Sequence, residues 1–178
     1  MKEIETKIIN IDFNLILKRL KQINARKVFD SIVESIYFKA QPYLLRIRKI
    51  GNVNTLTLKV KDKKTGSIKV MDEYEVEVSD FDTMRTILNL LGYKEYIQFK
   101  KRRIHFKLNN VSFELDKMLD EYNHIPWFLE IEAQNKEDID KYISLLGLNS
   151  YPRVDVGVEE LIKLKTKSDY DSFIRALK

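Results

Sequence analysis

Carboxylates two residues apart recur along the chain: Glu3 and Glu5 in "KEIETKI", Glu73 and Glu75 in "DEYEVEV", Glu114 and Asp116 in "FELDKM", Glu130 and Glu132 in "FLEIEA". Basic residues keep the same spacing: Arg46 and Arg48 in "LRIRK", Lys59 and Lys61 in "LTLKVK", Lys101 and Arg103 in "KKRRIHF". On an extended strand a spacing of two puts both side chains on one face. Gathered in one place, the basic rows could hold a polyanion and the carboxylates a divalent cation. Taken singly, each pair reads equally well as a solvated strand face.

The chain has 178 residues, a hydrophobic fraction of 44% and a charged fraction of 33%, which suits a single charge-rich globular domain over 1–178. No apolar run reaches membrane-spanning length and no export signal is evident, so the expected setting is cytoplasmic, without a membrane partner. The absence of cysteine excludes disulfides, zinc–thiolate sites and a cysteine nucleophile. The net charge of +5 is small and both signs are spread along the chain, whereas nucleic-acid binders concentrate basic charge in a patch. "KVKDKK" and "KKRR" are the basic runs, and such runs are usually solvated turns or strand ends.

Three segments carry helical periodicity. Asp12 can cap a helix with Phe13, Ile16, Leu17, Leu20 and Ile23 on one face; Asp80 or Asp82 opens a second, stopped by Gly92; a third runs over 136–146 and stops at Gly147. The tail from Val158 suggests one or two short helices. Between them, 2–9, 33–38, 43–50, 55–61, 68–78, 95–108, 111–117 and 128–134 alternate as strands, with hairpins expected around Gly66 and at Asn109–Asn110. Three times a strand bearing a glutamate pair leads through a short polar loop into an amphipathic helix. The expected fold is α+β: eight antiparallel strands, enough to close into a barrel, with the helices outside. A small barrel normally fills its interior with apolar side chains. The inverse, a charged lumen with an apolar outer face under the helices, fits the pattern equally well.

The ordered series of charged strands resembles the CYTH family of class IV adenylyl cyclases and thiamine or inorganic triphosphatases, the triphosphate tunnel metalloenzymes. The matching stretches are Glu3-x-Glu5-x-Lys7, the arginine strand "LRIRK", the lysine strand "LTLKVK", the acidic strand "DEYEVEV", "KKRRIHF", "FELDKM" and "IPWFLEIEA", together covering about residues 1–150. At the family's Gln-x-Asp-x-Tyr-Phe position this chain has "VESIYF", which keeps Tyr37 and Phe38 but has Val33 and Ser35. The resemblance implies a closed barrel whose charges point inward and which acts on a small-molecule triphosphate.

In that reading Arg46, Arg48, Lys59, Lys61, Lys101 and Arg103 bind the triphosphate, arginine as a planar fork and lysine as a point charge. Lys7, Lys101 and Arg103 are the candidate catalytic cations. Mg²⁺ or Mn²⁺ is the implied cofactor, with Glu3, Glu5, Glu130 and Glu132 as leading ligands and Glu75, Glu114 and Asp116 as secondary ones. The activity is expected to be cyclisation of ATP to cyclic AMP and pyrophosphate, with hydrolysis of a triphosphate as the alternative. A non-catalytic RNA-binding module is a further alternative, disfavoured by the carboxylate pairs; a homodimer is compatible with the sequence. His105 shares the parity of Lys101 and Arg103, but a polar strand histidine is more often structural, and His124 carries no stronger signal. Trp127 and Tyr122 could stack on a base, although Trp127 beside Pro126 reads first as packing.

Overall fold

Period-two patterning builds the long strands, and period-3.6 patterning builds the helices around them. A computed structural model describes residues 2–61 and 69–177, and side chains for 4–60 and 71–177. The order is β1 (Lys2–Ile8), α1 (Phe13–Gln22), β2 (Arg26–Ala40), β3 (Tyr43–Ile50), β4 (Val53–Lys61), β5 (Lys69–Val78), α2 (Phe81–Leu90), β6 (Glu95–Leu108), β7 (Val111–Met118), β8 (Phe128–Ala133), α3 (Lys136–Leu145), β9 (Arg153–Val154), α4 (Val158–Leu161) and α5 (Lys167–Ala176). The expected hairpin around Gly66 lies outside the described residues. No helix among the described residues is long and apolar enough to cross a membrane.

The sheet runs β5-β4-β3-β2-β6-β7-β8-β1-β9, all antiparallel, and a further pairing of β1 with β5 joins its two sides. Eight strands therefore form a closed ring, and two-residue β9 is a ninth strand paired to β1. β2 is longer than its 33–38 pattern because β6 is long: Arg26 pairs with Lys107 and the ladder continues to Phe38 opposite Glu95. Asn109 at φ 53° makes the expected two-residue turn between β6 and β7.

The threefold strand–loop–helix echo extends to the caps. Asp12, Asp80 and Asn135 each accept a hydrogen bond from the backbone N–H three residues on, at 3.0, 2.7 and 2.8 Å. After each helix a residue enters the left-handed region, Asn24 at φ 59°, Gly92 at 89° and Gly147 at 60°. Each glutamate strand is thus followed by a helix with firm limits at both ends.

The apolar faces of the strands point outward. Ile8, Ile104, Phe106, Phe113, Leu115, Leu129 and Ile131 form one buried cluster with Ile16 and Leu20 of α1 and Ile139, Tyr142 and Ile143 of α3. Ile36, Phe38, Leu45 and Ile47 pack under Phe81 and Leu88 of α2. The third cluster differs in kind: Tyr37, Phe99, Met118 and Phe128, on the inward-facing parity, meet Val158, Leu161, Ile162 and Tyr170 of the tail. The tail, which the strand pattern leaves unassigned, is therefore packed against the barrel interior. Truncating Leu161, only 1% exposed, to Ala should cost about 2–5 kcal/mol in urea unfolding, the range for a buried leucine. A loss well below that range would mean that the tail is loosely docked.

Candidate active site

With the apolar faces outward, the charged faces line a cavity of about 200 Å³. Glu5, Lys7, Arg46, Arg48, Lys59, Glu75, Lys101, Arg103, Glu114, Glu130 and Glu132, all expected from the sequence, are on its wall. Asp116 lies behind the wall, fully buried. The side chains of Glu3 and Lys61 lie outside the described residues. Glu73, Tyr37 and the segment Gly157, Val158 and Glu159 also line the cavity, though none was among the expected site residues. Glu73 was detectable, since it shares the parity of Glu75; the tail segment carries no such signal.

On one side, β1, β6, β7 and β8 bring together a dense ionic network. Cross-strand register sets Arg103 opposite Asp116, Glu114 opposite Glu130 and Lys7 opposite Glu130. Arg103 donates from Nε and Nη2 to the two oxygens of Asp116, at 2.8 and 2.6 Å. Its Nη2 also reaches Glu130 at 2.7 Å and its Nη1 contacts Glu114. Lys101 donates to Asp116 at 2.6 Å. Lys7 pairs with Glu130 at 2.9 Å and donates to the Val156 carbonyl at 2.8 Å, which fastens the tail segment to the wall. Both ammonium groups sit over the Phe128 ring, 5.6 and 6.0 Å from its centre.

Burial opposes a charge, and neighbours of opposite sign can outweigh it. For Lys7, Glu130, Glu5 and Asp116 outweigh burial and raise its pKa. Arg103 is held well above the ordinary range by Asp116, Glu114 and Glu130 against burial. Glu130 is desolvated too, yet Lys7, Lys101 and Arg103 hold it well below the ordinary carboxylate range. At Glu114 burial wins over Arg103 and pushes the pKa up to about 7.

The other side, built by β3, β4 and β5, is less balanced. Arg46 reaches the Tyr37 hydroxyl at 3.5 Å and Thr57 at 3.4 Å, and its carboxylate neighbours Glu73 and Glu75 stand at 3.7 and 3.9 Å. Arg48 donates to Glu75 at 2.8 Å, and Lys59 pairs with Glu73 at 2.5 Å. The Nε atoms of Arg46 and Arg48 are both buried and make no hydrogen bond among the described residues. Arg46 beside it, followed by burial, lowers the pKa of Arg48 despite Glu75. Two adjacent guanidinium groups with those Nε donors to spare offer hydrogen bonds that the oxygens of an anion could accept.

The carboxylates offer the hard oxygens that Mg²⁺ or Mn²⁺ requires. Glu114, Asp116 and Glu130 each present an oxygen within 4.8 Å of the others. These three carboxylates are thus an acidic cluster whose oxygens could hold a divalent metal. Glu5 and Glu132 stand directly opposite on β1 and β8, and Glu132 makes no ion pair among the described residues.

The remaining candidates serve packing. Trp127 stacks on Phe13 at 4.3 Å within the α1 cluster, and Tyr122 is buried in the tail cluster. His124 bridges the Glu121 and Leu164 carbonyls at 3.2 and 2.7 Å, tying the tail to the loop before β8. His105 faces Phe29 edge-on at 5.2 Å, and its buried Nε2 has no hydrogen-bond partner among the described residues.

The family model for the CYTH domain matches residues 1–146. A Methanocaldococcus jannaschii protein named "Putative adenylate cyclase" is 29% identical over 184 residues, spanning 98% of this chain and 95% of its own. A Pyrococcus horikoshii protein of solved structure is 32% identical, with a TM-score of 0.73 over 83% of this chain and 92% of its own. A Hippeastrum protein, described as a "putative adenylyl cyclase" with "a dominant triphosphatase activity", shares the fold at 14% identity, with a TM-score of 0.61 over 88% of this chain and 90% of its own.

Burial, then Lys107 and Arg103, lower the pKa of His105 from its ordinary 6.5 to about 4. Between those two values the unfolded chain binds a proton that the folded chain does not, so stability should fall as pH drops through this window. In His105→Gln the dependence of Tm on pH should flatten there, while the pH profile of turnover stays unchanged. A shifted turnover profile would give His105 a catalytic part.

Proposed function

Because the chain belongs to the CYTH domain family and acts on a triphosphate, we propose that it is a divalent-metal-dependent adenylyl cyclase converting ATP to cyclic AMP and pyrophosphate. The observation that carries triphosphate binding is the Arg46–Arg48 pair, cationic, adjacent and left with buried Nε donors that lack acceptors. Phosphate oxygens supply acceptors in the planar geometry that guanidinium groups match. Cyclisation is favoured by the likeness to the M. jannaschii protein, which extends over nearly the full length of both chains.

In this reading Arg46, Arg48 and Lys59 grip the phosphate chain from one wall, and Lys101 and Arg103 meet it from the other. The ribose 3′-oxygen adds to the α-phosphorus, its proton is lost, and the bond to the β-phosphate oxygen breaks with release of pyrophosphate. Catalysis rests chiefly on positioning and charge neutralisation, since phosphoryl transfer needs little covalent help from protein. Mg²⁺ or Mn²⁺, held by Glu5, Glu132, Glu130 and Glu114, would neutralise charge on the phosphate oxygens. Lys7 fixes Glu130 through its 2.9 Å ion pair and thereby orients that carboxylate. Glu3 and Lys61 belong to the same proposal by strand parity alone.

Hydrolysis is the second reading, favoured by the cavity itself. Its wall is overwhelmingly charged, with Leu44, Met71, Val158 and Tyr37 the main apolar surface against which a base could rest. Water would then add to the terminal phosphorus with loss of a proton, the bond to the β-phosphate oxygen would break, and the diphosphate would leave as orthophosphate is released. Incubation with ATP, tripolyphosphate or thiamine triphosphate, each with Mg²⁺ or Mn²⁺, separates the two. Cyclic AMP and pyrophosphate from ATP support cyclisation, orthophosphate from any of the three supports hydrolysis, and no product from any substrate overturns both.

Replacing Arg46 or Arg48 with Ala should lower kcat/KM by about ten- to a hundredfold, the loss expected for a charged hydrogen bond of about 1.5–3 kcal/mol. Metal dependence should stay as in the wild type, because neither side chain can ligate a cation. Glu132→Gln should do the reverse, raising the metal concentration needed for half-activation while leaving KM at saturating metal close to wild type. Equal behaviour of the arginine and glutamate variants in a metal titration would refute this division of labour.

A further inference from the structure

Asp116 is a carboxylate that shares the parity and neighbourhood of the metal-site glutamates, yet its surroundings are different. It is fully buried, where Glu114 and Glu130 reach the cavity wall. Its Oδ1 accepts from Arg103 Nε at 2.8 Å, and its Oδ2 accepts from both Arg103 Nη2 and Lys101 Nζ at 2.6 Å. Phe128, only 1% exposed, stands opposite it on β8. Glu130 also meets Lys7 and Arg103 but reaches the cavity wall, whereas a divalent cation bound to fully buried Asp116 would have to displace these charge-assisted hydrogen bonds behind that wall. It would also confront Lys101 and Arg103, two buried cations whose partner it had taken.

We propose that Asp116 is a positioning residue, which fixes Lys101 and Arg103 as a rigid cation pair, and that it does not ligate the metal. This assignment rests on the reading of the cavity as a triphosphate site. The two-oxygen grip on Arg103 fixes the plane of its guanidinium, and the shared Oδ2 sets the spacing between it and the Lys101 ammonium. The pair then presents a preformed seat for phosphate oxygens, with the cost of ordering two long side chains met by folding. Arg103 also touches Glu114 and Glu130, so the same anchor fixes how its guanidinium meets those carboxylates.

The sign of one measurement separates positioning from a plain charge effect. If Asp116 were only a negative charge in the wall, its removal would leave two cations less neutralised and would tighten the hold on an anion. If it positions them, removal weakens that hold. The test is calorimetric binding of inorganic tripolyphosphate in EDTA, and separately of Mn²⁺ alone, to the wild type, Asp116→Asn, Asp116→Glu and Glu132→Gln. Asp116→Asn should weaken tripolyphosphate binding by about tenfold or more and leave Mn²⁺ binding unchanged, while Glu132→Gln should weaken Mn²⁺ binding. Lys101→Ala combined with Asp116→Asn should lose less than the two single losses together, because one acts through the other. Should Asp116→Asn fail to fold by circular dichroism, Asp116→Glu carries the test with the same expected signs, since it keeps the charge and misplaces it. Loss of Mn²⁺ binding on the scale of Glu132→Gln, tripolyphosphate binding as tight as wild type or tighter, or additive losses would each overturn the assignment. A wild type that binds no tripolyphosphate would instead sink the triphosphate reading, and the assignment with it.

Discussion

Charge buried inside a closed barrel is the constraint that everything else must satisfy. Taking an ion out of water costs several kcal/mol even after relaxation, so a lumen full of ions is tolerable only if opposite charges meet at hydrogen-bond distance. Cross-strand register provides those meetings: Lys7 against Glu130, Arg103 against Asp116, Lys59 against Glu73. A slip of one residue in any strand would turn its charges into the outer apolar layer and its aliphatic residues into the lumen. The ionic interior and the strand register therefore enforce each other.

The inversion moves the stabilising apolar burial to the outside of the sheet. Ile8, Phe113, Leu129 and Ile131 find cover under α1 and α3, and Ile36, Phe38 and Ile47 under α2. Helices that might be ornament around an ordinary barrel are here the second half of the core. The three strand–loop–helix units follow from that need. Each glutamate strand turns its charges inward, and the helix that follows covers apolar faces of the barrel. Their matched caps and left-handed stops keep each helix at the length that covers its share.

Much of this was legible in the sequence for a definite physical reason. A period of two assigns residues to common faces without any knowledge of the tertiary fold, so Arg46 with Arg48 and Glu130 with Glu132 could be grouped from spacing alone. Asp12, Asp80, Gly92 and Gly147 announce helix limits through local chemistry. Whether the charged face looked at water or at a lumen was not legible from that pattern, because it depends on the long-range pairing of β1 with β5. Depth was illegible too. Glu114 and Asp116 are the same kind of residue on the same strand face, yet one lines the cavity and the other lies behind two cations. The part played by Gly157, Val158 and Glu159 had no local signature, since a four-residue helix is too short to show a period.

The pairing of β1 carries a consequence for how the chain finds its fold. Residues 2–8 form their ladders with β5, β8 and β9, so the first strand has its partners at positions 69–72, 129–133 and 153–154. The β2–β3–β4 meander can assemble from neighbouring segments, whereas β1 must wait for chain far downstream. Loop-closure entropy makes such distant contacts slow to form and places ring closure among the later events. Until then Lys7 and Glu130 are solvated ions on separate segments, and the half-built sheet exposes both a charged face and an apolar one. Closure is thus the step at which an open, hydrated ribbon becomes a chamber, and its rate should govern how long the unpaired edges of β1 and β5 stay available to other chains.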